Sequence, residues 1–283
     1  MRLADYPPQE PLSALGTAYH DCVIARGVGI EGREFAYGDD PYQRLTVYPA
    51  ASGAGDVLVV FHGGGWTSGY KEWMAFMAPA FNDAGVTFVS AGYRLAPQNV
   101  FPAAIDDCVR AIEWVLRNVA LHGGDPRQLF IGGHSAGGHY AALLAVDASW
   151  LARLGTPHEV MCGCLTISGV YAFGAGAGLA MRPRFLGDDP DNDVRASPLA
   201  HLHAAPPPFL VAYGTRDFPH LVAQGVKFAS VLREIGADID ECPLAGRTHF
   251  TASYAGGEPD GPWVPRALAF MDRHRRGTVQ RTR

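Results

Sequence analysis

Ser135 lies in the run Phe130-Ile131-Gly132-Gly133-His134-Ser135-Ala136-Gly137-Gly138. A serine hydroxyl is a poor nucleophile at neutral pH unless a base takes its proton, and the usual base is a histidine oriented by a carboxylate. Two downstream stretches offer these groups. Phe209-Leu210-Val211-Ala212-Tyr213-Gly214-Thr215-Arg216-Asp217 is an apolar run that breaks at Gly214 and ends on an acid. Leu244-Ala245-Gly246-Arg247-Thr248-His249-Phe250 follows another apolar stretch and carries a histidine, with Gly246 giving the loop freedom to present it. Together they would make Ser135 the nucleophile of an acyl transfer, His249 its base and Asp217 the orienting acid. The rival acids Asp188, Asp189, Asp191 and Asp193 have no clear strand before them, and His220 follows Asp217 with no strand between. His201 and His203 form a His-x-His pair with no third ligand in view, so no metal site is expected.

For this chemistry the serine must stand at a tight turn between a strand and a helix. Gly-x-Ser-x-Gly between the apolar run Leu129–Ile131 and the helix-like run from Gly138 to Val146 has that form. Gly133 and Gly137 remove the Cβ atoms that would clash as the helix packs back on the strand. Acid and base should likewise follow their own strands, because functional residues of a parallel sheet collect at the C-terminal strand ends. The tetrahedral intermediate also needs amide donors for its oxyanion. His62-Gly63-Gly64-Gly65-Trp66, after the apolar run Val57–Phe61, supplies side-chain-free N–H groups. The Ala136 amide, at a helix N-terminus, supplies another. A phosphate loop is the competing reading of the glycines, but no Gly-Lys-Ser/Thr and no Gly-x-Gly-x-x-Gly with a following acid is present.

The rest of the chain reads as the frame. Helices are expected near Leu12–Ala25, Trp73–Ala84 (irregular at Pro79), Asp106–Asn118, Ala223–Ile235 and Trp263–Arg273. Strands are expected near Arg33–Tyr37, Gln43–Tyr48, Val57–Phe61, Val86–Ala91, Leu129–Gly132, Val160–Ile167, Phe209–Tyr213 and Ile239–Pro243, with a turn over Ala51 to Asp56. Strands alternating with helices predict an α/β fold: a mostly parallel central sheet covered on both faces. Residues 1–283 read as one domain, with an N-terminal segment over 1–30 and a Gly- and Asp-rich excursion, a small cap or loop, over about 170–205.

With 48% hydrophobic and 18% charged residues, the chain can bury a large core. A net charge of −5 argues against a nucleic-acid footprint, which would need a basic stripe. Arg273, Arg275, Arg276, Arg281 and Arg283 read as the solvated end of the last helix. The five cysteines give no disulfide framework, and Cys162 and Cys164, alternate residues of one strand, should point the same way. Absence of an apolar leader or a membrane-length run leads to the expectation of a soluble cytoplasmic protein.

With these residues in place, the sequence resembles the α/β-hydrolase fold from about residue 45 to 275, and within it the hormone-sensitive-lipase-like esterases and the neighbouring arylformamidase (kynurenine formamidase) branch. The resemblance is carried by His62–Trp66, by Gly133–Gly138, and by Tyr93-Arg94-Leu95-Ala96-Pro97 with Phe101-Pro102-Ala103-Ala104 and Asp106-Asp107. It implies that the Gly64, Gly65 and Ala136 amides form the oxyanion hole. It also implies a serine hydrolase of a small, aryl or short-acyl carboxylic ester, needing no cofactor. His134 departs from the aspartate usual in the lipase-like esterases and matches many formamidases. This keeps an arylformamidase acting on an N-formyl aromatic amine such as N-formylkynurenine as the alternative. A supporting position turned away from the serine is expected for His134. A non-catalytic binding protein would need a broken triad, and none of the three residues is missing. Trp66, Tyr70, Trp73, Tyr93, Tyr171 and Phe173 lie near predicted strand ends and are candidates for an aryl-binding wall, each equally suited to the core. The expected partner is a small-molecule ester or amide, with no nucleic acid and no membrane; a homo-oligomer is left open.

Overall fold

The computed structural model describes residues 2–50, 55–153, 155, 158–202 and 206–277. Eight strands form one sheet in the order β1-β2-β4-β3-β5-β6-β7-β8. They are β1 (Arg33–Ala36), β2 (Arg44–Tyr48), β3 (Gly55–Phe61), β4 (Thr87–Ala91), β5 (Gly124–His134), β6 (Met161–Ile167), β7 (Phe209–Gly214) and β8 (Ile239–Leu244). β1 pairs antiparallel with β2, and β2 antiparallel with β4. All other pairs are parallel, so β3 to β8 end on the same edge. Part of the turn expected over Ala51 to Asp56, and His203, Arg281 and Arg283, lie outside the described residues.

The helices among the described residues are α1 (Ala14–Gly27), α2 (Ala78–Asn82), α3 (Ala103–Asn118), α4 (Ala136–Val146), α5 (Ser149–Ala152), α6 (Asn192–Arg195), α7 (Pro219–Glu234), α8 (His249–Tyr254) and α9 (Val264–His274). Strand alternation assigns side chains to two cores. Val57, Val59 and Phe61 pack with α3, α4 and α7 on one face, and Leu58 and Val60 pack with α1, α2 and α9 on the other. Every residue of α4 is buried, which accounts for a helix apolar on all sides.

Three local departures from the sequence reading have physical causes. The helix expected from Trp73 begins as a 3-10 helix, Lys71–Met77, and becomes α2 with Pro79 in its first turn, where a missing N–H costs nothing. Cys162 and Cys164 face opposite cores, because the β5–β6 register shifts between Leu129 and Phe130 and a bulged residue reverses the alternation. His249 is not on a loop: it opens α8, whose N-cap Thr248 accepts a hydrogen bond from the Thr251 amide.

Arg94 and Asp107, in the motif shared with the lipase-like esterases, form architecture. The Arg94 guanidinium meets the fully buried Asp107 at 2.8 Å through both Nε and Nη2, and Gln43 donates to the same carboxylate at 2.7 Å. This ties the start of β2 to α3 behind the strand ends. In the basic tail, Arg273 and Arg275 pair with Asp240 and Asp56.

Candidate active site

Ser135 joins β5 directly to α4 and takes φ +55°, ψ −119°. A non-glycine residue holds such a conformation only when its surroundings over-determine it. Here the constraint is close packing of the turn. A Cβ on Gly137 would stand 2.0 Å from the Phe61 carbonyl oxygen, and one on Gly133 would stand 2.4 Å from the Gly137 backbone. The Ser135 amide donates to the Ile167 carbonyl at 3.0 Å, pinning the turn to β6. The hydroxyl is thereby raised off the strand end.

His249 stands 32 residues beyond Asp217, yet its Nδ1 lies 2.9 Å from Asp217 Oδ1. Its Nε2 lies 2.9 Å from Ser135 Oγ. With a carboxylate at Nδ1, that nitrogen carries the proton, and Nε2 presents its lone pair to the serine hydroxyl. Asp217 Oδ1 also accepts from the Phe218 amide. Burial alone would raise the Asp217 pKa, but the His249 hydrogen bond and charge, the nearby Ser168 hydroxyl and the Phe218 amide outweigh it and hold the carboxyl below its usual value. Asp217 Oδ2 and Ser168 Oγ are both buried, and neither meets a partner of ordinary hydrogen-bond geometry among the described residues. Ser168 shares the strained form, with φ +50° at the end of β6.

Gly64 has φ +121°, and a Cβ there would overlap the Ser68 carbonyl oxygen at 1.8 Å, so only glycine fits the turn. Gly64 and Gly65 line the same cavity as Ser135 and His249. Among the described residues, the amides of Gly64, Gly65 and Ala136 donate to no other backbone group. Ala136 is the first residue of α4, where the helix leaves its N–H unpaired.

The cavity has a volume of about 390 Å³. Of the aromatic candidates, Trp66 and Trp73 line it; Tyr70, Tyr93 and Tyr171 do not. Tyr93 is fully buried, stacked on His62, and donates to the His62 carbonyl at 2.7 Å. Tyr171 stacks on Phe228 and hydrogen-bonds Thr166. Tyr70 packs on Tyr6 and Trp73 outside the cavity, and Phe173 packs behind Trp66. The hydroxyls of Tyr93 and Tyr171 find internal partners, which lets these rings fill the core. His134 takes the supporting position expected of it: its Nε2 donates to the His249 carbonyl at 2.9 Å, and the residue also lines the cavity. Burial, reinforced by the His249 charge, lowers its pKa to about 3, so the ring is neutral. His201 lies apart, with Nε2 against the Arg195 carbonyl.

Other wall residues carry no motif. Pro11, Leu12, Gly16 and Tyr19 come from the N-terminal segment, and Leu179 and Met181 from the excursion between β6 and β7. The N-terminal segment also holds the glycine loop. Gln9 Nε2 donates to the Gly69 carbonyl at 2.9 Å, and the Gly69 amide donates to Gln9 Oε1 at 2.8 Å. His139, one helical turn after Ser135, accepts from Trp66 Nε1 at 3.1 Å and donates from Nε2 to the Ala196 carbonyl at 2.7 Å. It thus joins the helix that follows Ser135, the glycine loop and the excursion. Its position four residues from Ser135 was a visible signal; its partners, 73 and 57 residues away, were not.

The sequence profile of the α/β hydrolase fold family matches residues 58–252. A probable isoprenylcysteine alpha-carbonyl methylesterase of Arabidopsis thaliana is 27% identical over 77% of this chain and 50% of its own length. Esterase LipQ of Mycobacterium tuberculosis is 33% identical over 64% of this chain and 46% of its own. The chain spans about half the length of these relatives. Among solved structures, the thermostable carboxylesterase EstE1, cloned from a metagenomic library, superposes with a TM-score of 0.73 at 23% identity, covering 92% of this chain and 95% of that one. At that identity the likeness is one of fold.

Proposed function

We infer the function from one premise: the chain belongs to the α/β hydrolase fold family, whose profile spans residues 58–252. We propose that it is a serine hydrolase of carboxylic esters. The observation that carries the reading is the unbroken relay from Ser135 Oγ to His249 Nε2 at 2.9 Å and from His249 Nδ1 to Asp217 at 2.9 Å, opening into a cavity beside unpaired glycine amides. Ser135 attacks the ester carbonyl as His249 takes its proton, and Asp217 stabilises the resulting imidazolium. The Gly64, Gly65 and Ala136 amides hold the oxyanion. His249 then protonates the leaving alcohol, and water, activated by the same histidine, releases the acid from the acyl-enzyme. The cavity wall around Leu12, Leu179, Met181 and Leu221 suits an uncharged apolar or aryl group. Esterase names among the relatives support the bond type.

A fluorophosphonate probe tests the serine-hydrolase reading: wild type should be labelled and Ser135→Ala should not. No labelling of wild type, or equal labelling of the variant, defeats the reading. Assays on p-nitrophenyl acetate beside N-formylkynurenine test the bond. The ester is expected to turn over faster; a formamide rate far above the ester rate would replace the ester reading with the arylformamidase one.

A further inference from the structure

Gly16 stands in the first turn of α1, donating its amide to the N-cap Ser13 at 3.1 Å. Glycine is among the poorest helix formers. Nothing in the backbone calls for it here, because its φ lies outside the left-handed region. The three atoms nearest to a Cβ at Gly16 would be side-chain atoms of Leu12 and Ser13 of its own segment, at 3.4 to 3.6 Å, which is ordinary contact. Gly137 is the opposite case, with foreign backbone 2.0 Å from the missing atom. Gly16 is nevertheless buried, and it lines the cavity that holds Ser135. Gly16 therefore contributes to the cavity wall without a side chain of its own, beside Leu12.

We infer that Gly16 is a specificity-determining residue: leaving this stretch of wall bare opens a lobe beside Leu12, Tyr19 and Trp73 to an extended apolar chain of the substrate. The lobe is firm. Tyr19 is tied through its hydroxyl to Ser253 at 2.9 Å, and Trp73 donates from Nε1 to His20 at 2.9 Å. Neither ring can swing in to fill the gap without giving up a hydrogen bond. The inference rests on the ester-hydrolase reading and extends the substrate class from short acyl esters to esters with a medium-length acyl or alkyl chain.

Wild type, Gly16→Ala and Gly16→Leu should be assayed on two series: p-nitrophenyl acetate, butyrate and octanoate, and acetates of short and long alcohols. Gly16→Leu is expected to lower the ratio of kcat/KM for the long members of one series to that for p-nitrophenyl acetate at least about tenfold. Gly16→Ala should fall between, with a Tm equal to or above wild type. Unchanged profiles in both variants, or a loss uniform across chain lengths, would overturn the inference. Relative labelling by ethyl and octyl fluorophosphonates gives the same ratio without depending on any ester. A flat ratio in labelled variants defeats the role of Gly16 alone, whereas a wild type that no probe labels defeats the hydrolase reading and this inference with it.

Discussion

Ser135, Asp217 and His249 each sit a few residues past one of the parallel strands of the sheet, within 2.9 Å of the next member. Leu12, Gly16, Tyr19, Leu179 and Met181, which surround them, come from the N-terminal segment with its helix outside the sheet and from the loop-rich excursion between β6 and β7. The two regions obey different rules. The floor is built backbone against backbone, so a single added carbon collides. The walls are built by side chains reaching inward from elements that end elsewhere. On the proposed reading, chemistry depends on the floor, and the choice of substrate on the walls.

The sharpest way to break this contrast is to show that the floor tolerates change. Asp217→Ala should lower kcat by about 10³- to 10⁴-fold while leaving the circular dichroism spectrum intact. A loss of only a few-fold would mean that the neutral histidine is oriented by something else. Gly137→Ala should cost about 3 kcal/mol or more in denaturant unfolding, because Phe61 has no room to give. An Ala variant of wild-type stability would show that the turn is not held by close packing.

Acid should also find the floor. Burial lowers the pKa of His62 to about 4, of His134 to about 3 and of His139 to about 4, below the ordinary 6.5. Between those values and 6.5 the unfolded chain binds more protons than the folded one, so stability is full above about pH 6.5 and falls as pH drops toward 4, by up to about 1.4 kcal/mol per pH unit for each histidine. Tm measured from pH 7 to 4.5 should decline, and His139→Gln should decline less steeply. A flat profile would mean that these rings are protonated inside the fold.

Smaller effects mark the join between floor and wall. His139→Leu removes the acceptor of Trp66 and should lower kcat about 10- to 100-fold with KM within about threefold, and His139→Gln should restore most of it. Equal losses in kcat and Tm, without rescue, would reduce His139 to packing. Gln9→Ala should lower kcat about two- to fivefold by loosening Gly69, the smallest effect in the set. A loss as large as that of Asp217→Ala would erase the distinction between floor and wall.

Much of the floor was legible because it is written locally. A tight turn leaves glycines at fixed offsets from Ser135, a glycine loop interrupts the run after Phe61, and the two remaining groups each follow a strand. The order of strands and helices was readable for the same reason, since each run carries its own period. His249 shows where local reading stops: the glycine-containing loop was visible, but Thr248 as the cap of a new helix was not. The wall was hardly legible. An aromatic residue near a strand end has the same composition whether it faces core or cavity, and the Tyr93 hydroxyl decided for the core only when the His62 carbonyl came within 2.7 Å.

The sequence by itself determined the parallel α/β architecture, the position of the strained serine turn and the chain order of serine, acid and histidine. Steric limits on a turn and the periodicity of a strand act over a few residues and leave their mark there. Tertiary structure alone decided that Gln9 clasps Gly69, that His139 holds Trp66, that His134 supports the His249 carbonyl and that Gly16 opens onto the serine. Each of these depends on groups 60 to 115 residues apart, or on the space left between them, and an interior distance has no local signature in a chain.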